Sequence, residues 1–150
     1  MVRTMFAVVA VAASGGVALA AATGLDAIKE RQDLMKADGA ATKPVIAMMQ
    51  GKAPFDLATV QKALNTYVNA MSKEPDLFPP DSKTGDKTRA LPAIWEDDNM
   101  ADLQARFKKL GADASAALAS IKDEASFKAA MPGVLNNCRA CHQKYVAKQQ

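Results

Sequence analysis

The chain has 150 residues, a formal net charge of +3 and 5% aromatic residues. That length suits a single domain, and the absence of a Lys/Arg run interleaved with aromatics excludes a nucleic-acid partner. Two cysteines and one histidine are too few to build a structural zinc site, which needs four ligands.

Residues 1–22 read as a cleaved secretory signal peptide. Met1-Val2-Arg3-Thr4 is a short basic start, residues 5–13 are apolar, and Ser14-Gly15-Gly16 breaks the run. Ala18-Leu19-Ala20 and Ala20-Ala21-Ala22 then offer small-x-small cleavage sites. The alternative is a retained anchor, but the unbroken run falls far short of the ~20 apolar residues a span requires. Residues 23–150 remain as one domain with no membrane span, and losing Arg3 removes one positive charge.

The rest reads as helices. In the first, Leu25, Ile28, Met35, Val45, Ile46 and Met49 fall on a helical face with Leu34 beside them. Gly39 and Pro44 predict a bend or break. Asp56 caps a second helix whose stripe is Leu57, Val60, Leu64, Tyr67, Val68 and Met71. Residues 73–92 hold Pro75, Pro79, Pro80, Gly85 and Pro92, which forbid a continuous helix. Asp97 or Asp98 starts a third helix through Met100, Leu103, Phe107, Leu110 and Leu118, weakened but not ended at Gly111. Asp123 caps the fourth, which carries Phe127, Met131, Val134 and Leu135, with a kink expected at Pro132. The predicted fold class is all-α: an antiparallel up-down-up-down four-helix bundle.

The fourth helix ends in Cys138-Arg139-Ala140-Cys141-His142, the C-x-x-C-H pattern of covalent haem c attachment. The chemistry dictates the spacing: two thiols add across the two vinyl groups of one haem, and the adjacent imidazole falls under the iron. A redox disulfide is the competing reading, but such pairs sit in a βαβ setting and no strand pattern surrounds this one. The bundle therefore encloses one haem c, held through Cys138 and Cys141, with His142 as proximal iron ligand. Haem c is attached outside the cytoplasm, which requires an exported chain and points to a bacterial periplasm.

With one histidine in the chain, bis-His ligation is excluded, and no methionine follows His142. A distal ligand must come from Met35, Met48, Met49, Met71, Met100 or Met131. Met131 shares the proximal helix. In an up-down bundle the end of helix four lies beside the start of helix one. At 1.5 Å per residue, His142 lies roughly 10 Å from the C-terminal end and Met35 roughly 15 Å from the start of helix one, at similar depth. Met71 and Met100 fall nearer the bundle's end. Met35 is the best-placed sulfur; its alternative is core packing against the haem face.

A haem motif near the C-terminus of a four-helix bundle resembles the class II c-type cytochromes, the cytochrome c′ family. The resemblance spans roughly residues 25–148 and is strongest at Arg31-Gln32-Asp33-Leu34-Met35-Lys36 and Cys138-Arg139-Ala140-Cys141-His142-Gln143-Lys144-Tyr145. Met49-Gln50-Gly51-Lys52, Leu77-Phe78-Pro79 and Ile94-Trp95 are weaker echoes. The position four after the first-helix Arg faces the distal iron in this family, and here it is Met35. The stretch Leu34-Met35-Lys36-Ala37-Asp38-Gly39 is most similar to the low-spin cytochrome c-556 branch, in which this Met ligates iron. The resemblance implies Arg31 near a haem propionate, where the alternative is a solvated surface cation, and Trp95 packing in the haem region. A second propionate Arg is replaced by Val146, so Lys144 or Lys148 stands in.

The expected function is single-electron transfer through a low-spin haem ligated by His142 and Met35, with periplasmic redox proteins as partners. The alternative is a high-spin, five-coordinate haem binding nitric oxide or carbon monoxide. No enzyme activity is expected, because a peroxidase needs a distal acid/base and residues 28–39 offer Asp33, Asp38 and Arg31 but no histidine. A homodimer through the first two helices is the remaining family feature.

Overall fold

The computed structural model describes residues 23–148, so the expected signal peptide lies outside the described residues. Four helices follow in order: α1 Gly24–Met49, α2 Leu57–Lys73, α3 Asn99–Ser120 and α4 Glu124–Tyr145. Consecutive helices pack against one another, whereas α1 and α4 make almost no direct contact. The result is the expected antiparallel four-helix bundle, left open along the α1/α4 seam. No helix among the described residues is long and apolar enough to cross a membrane.

Side-chain caps set three of the helix starts. Thr23 Oγ1 accepts the Asp26 N–H at 3.3 Å, and Asp26 returns the favour by accepting the Thr23 N–H at 3.1 Å. Asp56 Oδ1 accepts the Thr59 N–H at 2.7 Å. Asp123 Oδ1 accepts the Ser126 N–H at 2.8 Å, while Ser126 Oγ accepts the Asp123 N–H at 3.1 Å. Such a cap stabilises its helix by ~1 kcal/mol. Asp98 precedes α3 as expected but makes no capping bond with its side chain. Gly51, at φ +68°, closes α1 in the left-handed conformation that glycine adopts without strain.

The core follows the stripes of α2, α3 and α4. Val60, Leu64, Tyr67, Leu103, Phe127 and Met131 are buried between them, each contributing roughly 1.5–3 kcal/mol if apolar and fully enclosed. Helix α1 departs from its expected pattern. It is continuous across Gly39 and Pro44, and α4 is continuous across Pro132. Both prolines lie on exposed faces, as do Ala40 and Lys128, whose carbonyls lose their helical donor and turn to water instead. Leu25 and Ile46 are 57% and 41% exposed rather than core. Val45 and Met48 take the inward face there, and a rotation of about 100° per residue carries Ile46 away from it.

Residues 74–98 form a non-helical segment with short 3₁₀ turns at Glu74–Asp76, Pro80–Ser82 and Pro92–Trp95. Its end is zipped to the chain that leaves α4. Leu91 N–H donates to the Tyr145 carbonyl at 2.9 Å, Ala147 N–H donates to the Arg89 carbonyl at 2.8 Å, and Ala90 pairs with Val146.

Asp102 ties the same end of α4 to α3. It accepts from Arg106 Nε at 2.7 Å, Lys144 Nζ at 3.1 Å and the Tyr145 hydroxyl, which also donates to the Asn99 carbonyl at 3.1 Å. The Arg106 bond, then those from Tyr145 and Lys144, hold the Asp102 carboxyl far below its ordinary value of 3.8. A depressed acid pKa contributes stability above the ordinary value and loses it as pH falls through the lowered one. Asp102→Asn is therefore expected to lower stability at neutral pH and flatten the acid limb of the stability curve. Denaturant titrations at a series of pH values read this directly; an acid limb as steep as the wild type's would show that other carboxylates set it.

Candidate functional site

Cys138, Cys141 and His142 occupy positions i, i+3 and i+4 on α4, one helical face. That face looks across the open seam toward α1. Both cysteines are half-buried and unbridged. Burial pushes both thiols up to about 11, the opposite of the low pKa of a redox-active C-x-x-C thiolate. Among the described residues no group of three or more His, Cys, Asp and Glu side chains is placed to hold a metal ion. His142 is exposed as a residue, but partial desolvation of its ring against the cavity, with the charge of Arg89 added, moves the imidazole below its ordinary value and so favours the neutral ring, the form that ligates metals.

Two cavities meet at this face. The larger has a volume of about 820 Å³ and is walled by Phe78, Ile94, Leu103 and Phe107, with Arg31 and Met35 from α1 and Cys141 and His142 from α4. The smaller, about 300 Å³, is lined from α1 by Met35, Asp38, Thr42 and Ile46 and from α4 by Cys138, Cys141 and His142. Met35 and His142 line both cavities from opposite helices. Met71 also lines the smaller one, and Met100 lines neither.

Arg31 is not a solvated cation. It is 5% exposed, and its two terminal nitrogens donate to the Leu77 carbonyl at 2.7 Å, Ser82 Oγ at 2.9 Å and the Ser82 carbonyl at 3.0 Å. Its guanidinium lies 4.5 Å from the Phe78 ring centre and 5.7 Å from that of Trp95. The side chain therefore fastens the loop wall to α1 as well as facing the cavity. Trp95 does not line either cavity. Its indole N–H donates to the Phe78 carbonyl at 3.0 Å, which sets the ring behind Phe78, with centroids 5.8 Å apart. Trp95 thus reaches the site only through Phe78 and Arg31.

Of the basic residues considered for the mouth, Lys148 lines the larger cavity and Lys144 does not, being held on Asp102. Sequence reading missed Lys87, Arg89 and Arg139, which share that rim. Arg89 arrives through the Ala90–Val146 pairing, a contact between positions far apart in sequence that no local pattern announces. It also missed Glu74, which, like the Asp38 already named on the distal stretch, has a buried oxygen without a hydrogen-bond partner.

An apolar cavity within the ~300–1,000 Å³ of a cofactor pocket, with two half-buried thiols and a neutral imidazole on one helix face, fits a covalently held haem. Such a site in a four-helix bundle defines a c-type cytochrome. The match to the family model Cytochrome C′ covers residues 26–146. A cytochrome c′ of Rhodopseudomonas palustris is 51% identical over 124 residues, covering 83% of this chain and 84% of that protein. A cytochrome c-556 of Agrobacterium tumefaciens is 39% identical over 123 residues, covering 81% and 98%. The solved structure of a cytochrome c′ from Rhodopseudomonas palustris superposes with a TM-score of 0.79 at 50% identity, covering 83% of this chain and 98% of that one. The chain belongs to the cytochrome c′ family, and it is a monohaem cytochrome carrying haem c through Cys138 and Cys141.

Proposed function

We propose that the protein is a periplasmic single-electron carrier whose iron is ligated by His142 and Met35. The observation that carries this is the placement of Met35 on α1 facing the same two cavities as His142 on α4. The bound haem supplies a one-electron couple, whose potential a Met/His pair raises. The chain's residues do the rest. Cys138 and Cys141 fix the cofactor's position, and His142, one residue on, presents a neutral nitrogen. Met35, a neutral thioether at mid-helix on α1, lines the same cavities and would supply the second iron ligand. Phe78, Ile94, Leu103 and Phe107 keep the pocket apolar.

The periplasm follows from residues 1–22 and from the chemistry of haem c attachment. Redox proteins of that compartment are the partners. A homodimer through α1 and α2 finds support in Leu25, an exposed apolar side chain on α1.

A second reading draws on the smaller cavity, whose 300 Å³ beside Met35 offers room for nitric oxide or carbon monoxide at a five-coordinate haem. The ferric absorption and electron paramagnetic resonance spectra of the holoprotein separate the two. Low-spin signals with a weak far-red sulfur-to-iron band are expected; a high-spin, five-coordinate spectrum would replace the first reading with the second.

A further inference from the structure

Glu74 opens the 3₁₀ turn after α2 and is 1% exposed. It lines the larger cavity together with Met35, Cys141 and His142. Its Oε1 has no hydrogen-bond partner. Arg31 is the cation that acts on it, but the hydrogen bonds of that guanidinium's terminal nitrogens go to Leu77 and Ser82. A carboxylate buried without a bonded partner is costly, and the group responds by taking a proton.

We propose that Glu74 is a redox-linked proton site: it binds one proton from solvent when the pocket gains one electron, and releases it when the electron leaves. The electron comes from a one-electron donor protein. One O–H bond forms on Glu74 as one O–H bond of a solvent hydronium ion breaks, leaving water, and the net charge of the cavity is unchanged. This balance is the reason for the coupling. In a medium of low effective dielectric, an added negative charge raises the proton affinity of any carboxylate that shares the cavity.

The surroundings put the exchange at an accessible pH. Burial, the largest cause, pushes the Glu74 carboxyl up to about 8; Asp38 and Glu30 on α1 add in the same direction, and Arg31 opposes them. From α3 the cavity receives the neutral Leu103 and Phe107, and Gln104 is bonded to the neighbouring Pro75 carbonyl at 2.9 Å. From α4 it receives the charged Arg139, the titratable Tyr145, Cys141, uncharged once it is a thioether, and His142. The open mouth beside Lys87 and Arg89 gives solvent its route. A pKa near 8 leaves Glu74 mostly protonated at lower pH and ionised above, so the coupling belongs to neutral and mildly alkaline conditions.

The proposal rests on the electron-carrying reading and is tested on the holoprotein by measuring midpoint potential against pH. The wild type is expected to fall with a slope approaching ~59 mV per pH unit in that range, and Glu74→Gln to be nearly flat there. Asp38→Asn, which removes the other carboxyl with an unpartnered oxygen, is expected to keep the slope but move its range to lower pH, because Asp38 helps raise Glu74. A reduced-minus-oxidised infrared spectrum should show the wild type gaining a protonated-carboxyl band that moves in D₂O and is missing in Glu74→Gln. A flat wild-type profile overturns the proposal. So does a slope that survives Glu74→Gln, which would place the proton on Asp38 or a haem propionate. Because the infrared gain is read in the wild type, its absence counts against Glu74 even if the variant fails to fold. The ferric spin state of the same samples tests ligation separately. High spin with a Glu74-dependent slope defeats Met35 ligation alone, and low spin with no slope defeats Glu74 alone.

Discussion

Met35→Ala is expected to turn a low-spin ferric spectrum into a high-spin one and to open the ferrous protein to carbon monoxide and nitric oxide. The far-red sulfur-to-iron band should vanish with it. The size of the effect follows from what else could bind. The chain has one histidine, and Met131 is buried in the proximal helix itself. Met71 is the only other thioether at either cavity among the described residues, and it lies 7% exposed in the core between the helices. The fold should survive. Met35 is half-buried on a helix that is anchored elsewhere by Ile28 and Val45, so the loss stays below the ~2–5 kcal/mol of a fully buried Met→Ala change. Two spectra would defeat the assignment. If the wild type is already high spin and Met35→Ala leaves it unchanged, Met35 only packs against the cofactor. If Met71→Ala changes the spin state and Met35→Ala does not, the ligand has been placed at the wrong depth in the bundle.

The same comparison explains which features could be read from sequence. The stripes of α2, α3 and α4 face one apolar core, so periodicity located Val60, Leu64, Phe107 and Phe127 correctly. Asp56 and Asp123 were legible as caps because capping is local chemistry. Helix α1 was misread at Leu25 and Ile46 because it serves two surroundings. One side packs on α2 while Met35, Asp38, Thr42 and Ile46 face the α1/α4 seam. A single-stripe pattern does not describe a helix with two inward faces. Pro44 does not break the helix for a related reason: a proline disrupts a helix most when the carbonyl it deprives is buried, and here Ala40 is exposed. The C-x-x-C-H motif was legible outright because its chemistry lies within five consecutive residues. Glu74, Arg89 and the buried state of Arg31 were not. Each depends on how residues 74–98 fold back over α1 and α4, through contacts such as Arg31 to Leu77 and Ala90 to Val146.

His142→Ala should cause the greatest loss of stability, and the paired cysteine change the greatest loss of cofactor. With both Cys138 and Cys141 replaced, no stable holoprotein is expected. Cys138→Ala alone should leave one thioether and a perturbed spectrum. In the wild type, acidified organic solvent should leave the haem on the denatured chain; complete extraction from matured protein would remove the basis of the site. His142→Ala keeps both thioethers but takes away the only imidazole. The consequence for stability comes from the open seam. Helices α1 and α4 make almost no direct contact, so under the proposed His142/Met35 ligation the bound cofactor would join them. Because the covalent links keep the haem on the unfolded chain, it stabilises the fold only through the ligation and packing it gains in the folded state, against a total of only ~5–15 kcal/mol for a domain. Weakening that bridge should lower the unfolding midpoint more than any single apolar truncation on α1. Thermal unfolding of the His142→Ala and Met35→Ala holoproteins, followed by helix content, measures both ligands on one scale. His142 should cost more, because its loss leaves the cofactor joined to α4 by the thioethers alone, whereas Met35 sits in the middle of a helix secured at both ends. An equal drop would mean that the thioethers and the bonds from Tyr145, Val146 and Ala147 already hold the end of α4 in place, with the imidazole setting only the spectrum.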